Sequence, residues 1–239
     1  MNEISTSRRI AVIGRGRLGG ALAPALHAGP PLARGAAVPP DSEIVILAVP
    51  DDAVAAVAAA LPPGPLVGHC SGALALEALA PHAERFSLHP LMTLTAGSGP
   101  ERLRGAGAAI AGSSPRALAV AGELAERAGL EPFRVADQDR ALYHAAASIA
   151  SNFLVTLESI ADRLLRSVGV EHRHTAALAR ASLENWATLG AQRALTGPIS
   201  RGDSATVARQ RAAIAARAPD LLDLFDALAD ATRSLGAPA

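Results

Sequence analysis

Three glycines, Gly14, Gly16 and Gly19, carry the clearest chemistry in this chain. They sit in Gly14-Arg15-Gly16-Arg17-Leu18-Gly19, after an apolar run that reads as a short buried strand over Arg9–Ile13, and the stretch Leu18–His27 that follows reads as a helix. In that setting the first glycine permits a tight turn, the second lets backbone approach a pyrophosphate, and the third lets helix pack on strand. The phosphates would meet the amides and the positive dipole end of the helix. A glycine-rich turn without a ligand is the competing reading; the strand–turn–helix context favours a nucleotide. Such a site also wants an acid about 20 residues on for the ribose, or an arginine for a 2′-phosphate. Arg34 stands there, in Pro30-Pro31-Leu32-Ala33-Arg34. It favours NADP over NAD, with Arg15 placed to assist, although an ordinary solvated arginine fits equally well. The two prolines make a poor central strand, because they remove ladder donors. Too little chain separates this segment from Glu43 for a further helix and strand, so the adenosine side is shortened.

Proton chemistry has a smaller set of candidates. His89 lies at the expected carboxyl end of a strand over Arg85–His89, beside Pro90. A histidine near neutral pKa can protonate an alkoxide or amine as hydride arrives, or it can satisfy buried backbone at a strand end. His69 ends a neighbouring strand, and Ser71 with Gly72 could offer a hydroxyl and amides to a nicotinamide amide or a substrate. Cys70 between them reads as a small buried apolar residue. On the helix expected from Arg140, the residues Ala145, Ile149, Phe153, Leu154, Leu157 and Ile160 cover much of the circumference, which implies burial. His144, Ser148, Ser151, Asn152 and Glu158 recur at spacings of three, four and seven and form one polar strip. Such a strip bonds to neighbouring helices or lines a ligand cleft. Further on, Thr196-Gly197-Pro198-Ile199-Ser200-Arg201-Gly202-Asp203 offers Arg201 as a carboxylate clamp, with Asp203 to fix it or to cap the next helix. His172 and His174 read as solvated, and no metal site is expected.

The elements that must position these residues alternate at first. Strands are expected at Arg9–Ile13, Glu43–Val49, Leu66–His69 and Arg85–His89, with weaker ones at Gly107–Ala111 and Glu131–Val135. Helices are expected at Ala53–Leu61 and Leu74–Ala80. Alternation predicts an α/β domain with a parallel sheet and its ligand at the strands' carboxyl ends, where the turn Val49-Pro50-Asp51 joins the cofactor side. From Asp137 only helices are expected, roughly Arg140–Val168, His174–Leu195, Ala205–Ala216 and Asp220–Leu235. The two domains are therefore 1–136 and 137–239. Formal charge is zero, with 22 basic and 22 acidic residues, so bulk electrostatics draws the chain to neither nucleic acid nor an acidic membrane. No lysine is present, which excludes lysine chemistry and, with the abundant alanine, points to a GC-rich bacterial genome. A single cysteine excludes an intrachain disulfide and a cysteine metal cluster. Arg8-Arg9 is followed by too short an apolar run for an export signal, and no stretch approaches membrane-spanning length, so a cytoplasmic protein is expected.

Ile10–Gly19, Ile44–Asp52, His69–Gly72, Ser87-Leu88-His89-Pro90-Leu91, Tyr143–Leu157 and Leu195–Asp203 together resemble one group. It is the bacterial Rossmann-like proteins with a C-terminal domain of unknown function, described as predicted short-subunit dehydrogenase-like oxidoreductases. The resemblance implies the 6-phosphogluconate dehydrogenase-like superfamily, with pyrroline-5-carboxylate reductase and prephenate dehydrogenase as relatives. It implies a nicotinamide cofactor, a helical second domain and a homodimer. His89-Pro90 is similar to the pair holding the catalytic histidine of prephenate dehydrogenases. Related β-hydroxyacid dehydrogenases place a lysine and an asparagine on the helix corresponding to Arg140–Val168; here His144 would supply the proton and Asn152 orient the substrate. The expectation is an NADP(H)-linked oxidoreductase, with NAD possible, acting on a small carbonyl, imine or hydroxyacid compound. A non-catalytic nucleotide sensor and an adenosylmethionine-binding protein are the rival readings.

Overall fold

The computed structural model describes residues 8–236. A six-stranded sheet runs in the order β1 (Ile10–Ile13), β2 (Ile44–Leu47), β3 (Leu66–His69), β4 (Arg85–Pro90), β5 (Gly107–Gly112) and β6 (Glu131–Arg134). The Val-Ile-Leu runs of β2 suit a strand buried on both faces, and all four of its residues are buried. Alternation along it divides the core. Ile44 and Ile46 join Val12, Leu22 and Phe86 on one face, while Val45 and Leu47 join Ile13, Val54 and Val67 on the other. Each such aliphatic side chain contributes roughly 1.5–3 kcal/mol when fully buried.

Helices α1 (Arg17–Ala25), α2 (Asp51–Ala59) and α3 (Pro115–Arg127) cover the sheet. Helix α2 begins two residues before the expected Ala53, because Asp51 and Asp52 favour the positive end of its dipole. The stretch expected as a helix over Leu74–Ala80 is instead a short 3-10 turn at Leu76–Leu79. The sheet also departs from the all-parallel expectation at one step, since β4 and β5 pair antiparallel. The link between them holds only a 3-10 turn at Pro100–Leu103, with no crossover helix to return the chain to the sheet's other end. On the free edge of β1, Leu32 makes a single parallel bridge to Ile13, its N–H donating to Val12 O at 2.8 Å and its carbonyl accepting from Gly14 N–H at 2.8 Å. After α1 the chain thus visits one side of β1 before β2 takes the other. Strand order reverses at the end of β1, where ligands of open α/β sheets bind.

The chain divides into two compact units, residues 1–152 and 153–239. The change from strand to helix falls at Ala136 as expected, but the first unit continues through α4 (Arg140–Ser148), whose Arg140 is buried in it at 1% exposure. The single helix expected over Arg140–Val168 is three segments, α4, a π-helical turn at Ile149–Phe153 and α5 (Leu154–Arg166). Its expected burial is not met within the chain. Leu142 is 75% exposed and Phe153 56%, with no layer over them among the described residues.

The second unit contains α5, α6 (Arg173–Leu189), α7 (Ala191–Ala194), α8 (Ser204–Arg217) and α9 (Leu222–Gly236). Gly190, at φ +77°, breaks the helix expected over His174–Leu195 into α6 and α7. Asp226 accepts from the Arg211 guanidinium at 2.8 Å between α9 and α8. Among the described residues, no helix is long and apolar enough to cross a membrane and no group of side chains is arranged for a metal ion.

Candidate functional site

The glycine turn does three different things. Gly14 sits at φ +125°, and a Cβ there would lie 2.1 Å from the Ala48 carbonyl oxygen, so only glycine fits. A Cβ on Gly19 would lie 1.8 Å from Gly14 O, so this glycine lets α1 press against the turn. Gly16 is the opposite case, with nothing within 4 Å of an added Cβ. It caps α1 in extended backbone and supplies no side-chain hydrogen bond, which leaves the first-turn amides to other acceptors. Gly16, Arg17 and Leu18 border a cavity of about 520 Å³ that extends to Pro50, Cys70, His89 and Asn152. These features, an open approach at Gly16 and uncapped helix amides, fit a pyrophosphate.

On the edge side, Arg15 is exposed and donates from Nε to Pro31 O at 3.2 Å. Arg34 is exposed two residues beyond the Leu32 bridge. Val49 is half-buried, and Pro50 and Asp51 open α2. Asp51 has a structural partner, accepting from Ser71 Oγ at 2.8 Å.

His89, on the cavity's wall, belongs to a cluster packed around Gly72. A Cβ there would come within 2.8 Å of His144 Cδ2 and 2.9 Å of His89 Cε1, so both rings rest on this glycine. Their centroids are 6.2 Å apart. His89 Nδ1 is 2.7 Å from Tyr143 Oη. Burial is the main cause that pushes His89 down to about 4, with the neighbouring His144 and Arg140 adding to it and Asp51 opposing. Burial pushes the Tyr143 phenol up, opposed by Arg140. Near neutral pH both groups are uncharged.

Ser71 is fully engaged. Beyond donating to Asp51, its Oγ accepts from the N–H groups of Ala73 at 3.1 Å and Leu74 at 3.0 Å, which exhausts a hydroxyl's capacity. It holds a turn, and its N–H donates to His69 Nδ1 at 3.2 Å. Cys70 is buried and burial pushes its thiol up to about 12, which leaves no thiolate for nucleophilic chemistry near neutral pH.

Sequence reasoning missed Arg140 and Tyr143. The buried Arg140 guanidinium donates to Asp137 Oδ1 at 3.1 Å, to Ser71 O at 3.3 Å and to Ser87 Oγ. It thereby ties the first turn of α4 to the turn after β3 and to the middle of β4. Tyr143 and His144 follow at three and four positions on, so they share Arg140's face of the helix. That spacing of Arg, Tyr and His at a helix start was the available signal. Ser151 and Asn152 line the cavity, whereas Ser148 is half-buried and does not border it. Thr196, Arg201 and Asp203 belong to the second unit. There Asp203 caps α8, accepting from Thr206 N–H at 3.0 Å, and the Thr206 side chain, followed by that N–H, holds its carboxyl below the usual range. Arg201 is exposed in the preceding turn.

A family model described as a domain of unknown function, DUF2520, matches residues 107–232, more than half of the chain. The chain belongs to the DUF2520 family. No curated protein matches it. Among solved structures, this DUF2520 protein is similar to a proposed NADP oxidoreductase from Bacteroides fragilis, at 17% identity and a TM-score of 0.80, over 96% of this chain and 99% of that one. A protein from Thermotoga maritima matches at 24% identity and a TM-score of 0.81, over 95% and 98% of the two chains. A 1-pyrroline-5-carboxylate reductase from Streptococcus pyogenes matches at 14% identity and a TM-score of 0.64, over 96% and 100%. At these identities the likeness establishes a shared fold, a Rossmann-type sheet domain followed by an all-α region.

Proposed function

We propose that this DUF2520 protein is a nicotinamide-dependent oxidoreductase acting on a small carbonyl, imine or hydroxyacid compound. The observation that carries the reading is one cavity joining the open backbone at Gly16 and the α1 amides to His89. Gly14, Gly16, Gly19 and the Val49-Pro50-Asp51 turn would hold the dinucleotide. Arg34, helped by Arg15, would meet a 2′-phosphate and make NADP the preferred form. When bound, the reduced nicotinamide supplies hydride. His89 then presents a proton at the cavity wall, His144 lies beside it, and Asn152 orients the substrate. In the helical region, Arg201 is the candidate for an acidic group on the substrate.

The solved structures similar to this chain include a pyrroline carboxylate reductase from Plasmodium falciparum with NADP bound, which supports the cofactor class. We further propose a homodimer. None of the described side chains of α5 and α6 is buried within the chain, yet they include Val155, Leu178 and Trp186, exposed at 69%, 69% and 59%. A second copy would cover such faces. The proposed division of labour is a cofactor domain over 1–136 and a substrate and dimerisation domain over 137–239, in a cytoplasmic enzyme.

Titration with NADPH, NADH and adenosylmethionine tests this directly. Saturable NADPH binding followed by oxidation across a carbonyl and imine panel is the expected result. Tight binding without turnover would favour a nucleotide sensor, and binding of none of the three would defeat the oxidoreductase reading.

A further inference from the structure

His89 lines the cavity, and among the described residues its only hydrogen bond is made through Nδ1. Nδ1 is taken by Tyr143 Oη at 2.7 Å, whereas Nε2 lies on the Gly72 side, 3.0 Å from the position of an added Gly72 Cβ. A phenol donates strongly and accepts weakly, while the lone pair of a neutral imidazole is a strong acceptor. The bond therefore runs from Tyr143 O–H to Nδ1, and the tautomer it selects carries its hydrogen on Nε2. Three positions before Tyr143 on α4 stands Arg140, 1% exposed and held by Asp137, Ser71 and Ser87. Tyr143 is half-buried with Phe133 packed edge-on at a 6.0 Å centroid distance, so its hydroxyl is fixed toward His89 while the ring keeps partial access to solvent.

We propose that Tyr143 is the proton source of this site, with His89 passing the proton on while remaining neutral and buried Arg140 stabilising the phenolate left behind. The proposal deepens the oxidoreductase reading and rests on it. After hydride has reached a carbonyl carbon, the substrate oxygen bears a negative charge. A bond forms between that oxygen and the Nε2 hydrogen as Nε2–H breaks, and Nδ1–H forms as Tyr143 O–H breaks. One proton is gained by the substrate and one is lost by Tyr143, so the charge moves from alkoxide to phenolate and the imidazole changes only its tautomer. An alkoxide is far more basic than a phenolate, which makes the transfer downhill. Nδ1 then returns its proton to the phenolate as water protonates Nε2, which restores both groups and releases hydroxide. The groups bearing on His89 are His144, Arg140 and Asp51, two of which disfavour an imidazolium, so a charged histidine is the poorer route. Arg140 is the charged group bearing on Tyr143, and it favours the phenolate.

The test needs no substrate at first. Nitrogen-15 NMR of the intact protein, with His89 assigned by a His89→Gln variant, should show the Nε2–H tautomer. Tyr143→Phe, which keeps the ring, should convert this to a mixture of tautomers. Tyr143 is the chain's single tyrosine, so the ultraviolet absorbance of phenolate reports it alone. Arg140→Met should raise its titration midpoint and Arg140→Lys should restore it. With a turned-over substrate, Tyr143→Phe should slow turnover roughly 100-fold while NADPH affinity stays within about twofold. A wild-type Nδ1–H tautomer, or a phenol midpoint indifferent to Arg140→Met, would overturn the proposal. Loss of NADPH binding by the wild type would defeat the parent reading and leave the tautomer result standing.

Discussion

The three glycines of the turn can be separated experimentally, because the structure assigns them different costs on substitution. In Gly16→Ala the new methyl meets no atom within 4 Å, and the backbone at φ −73° and ψ −175° suits alanine. Alanine is a poorer N-cap than glycine by about 0.5–1 kcal/mol. It also restricts the unfolded chain, which stabilises by about 0.4–1 kcal/mol. These offset, so Tm should be unchanged. The methyl does, however, occupy the approach assigned to a pyrophosphate. Losing about 1.4 kcal/mol there weakens binding tenfold, and a full clash costs more, so a Kd for NADPH raised by at least about tenfold is expected. In Gly14→Ala the same methyl falls 2.1 Å from a backbone carbonyl at φ +125°. Backbone strain of about 1–3 kcal/mol adds to overpacking of about 1–3 kcal/mol. Against a typical domain stability of about 5–15 kcal/mol, that is a large Tm loss. Thermal denaturation and fluorescence titration of NADPH on both variants decide the matter. A folded Gly16→Ala protein that binds NADPH with wild-type affinity would refute the phosphate assignment.

Other outcomes follow from the same geometry. His69 and His89 are both pushed down to about 4 from 6.5, so the unfolded chain binds more protons between those values; their contribution to stability is full above pH 6.5 and is lost as pH falls toward 4. For fully buried His69 this is worth at most roughly 3 kcal/mol, and urea unfolding across that range should steepen accordingly, less so in His69→Gln. Cys70 should resist a thiol-specific disulfide reagent in native buffer at pH 8 and react at once in denaturant, while rapid native labelling would contradict its burial. Arg34→Ala should weaken NADPH about tenfold or more and leave NADH unchanged, measured by paired titrations; equal effects on both would make Arg34 a solvated surface residue.

Much of the sheet could be read directly from the residues. Leu66–His69 is a strand with the expected bounds, and the runs at Ile10 and Ile44 pair in register with Ile10 opposite Ile44. Dense β-branched stretches ended by glycine or proline leave little alternative. The antiparallel step at β5 was not legible, since strand direction depends on where a connection returns and not on the strand's own residues. Apolar patterning on α4 and α5 correctly gave helices but not their surroundings, because a side chain such as Leu142 reads the same whether its cover is intrachain or absent. The least legible part is the polar centre. Tyr143 meets His89 across 54 positions and Arg140 meets Ser87 across 53, so no local window contains either pair.

The shortened edge of the sheet bears on affinity more than on the existence of a site. A switch point needs only that the chain leave β1 on one side and return on the other. Leu32 accomplishes this with two hydrogen bonds of 2.8 Å to Val12 and Gly14, in place of a full strand. The second of these fixes Gly14, whose conformation in turn sets the position of Gly16 and the start of α1. Under the proposed reading, the phosphate end therefore keeps its geometry although the adenosine end has lost framework. With prolines at 30 and 31 restricting the approach to Leu32 and Arg34 exposed just beyond it, the proposed reading leaves recognition on that side to exposed arginines and not to a walled pocket. A charge-based contact of this kind is screened by salt. Preference for NADPH over NADH should accordingly shrink as ionic strength rises, whereas binding through the α1 amides should persist.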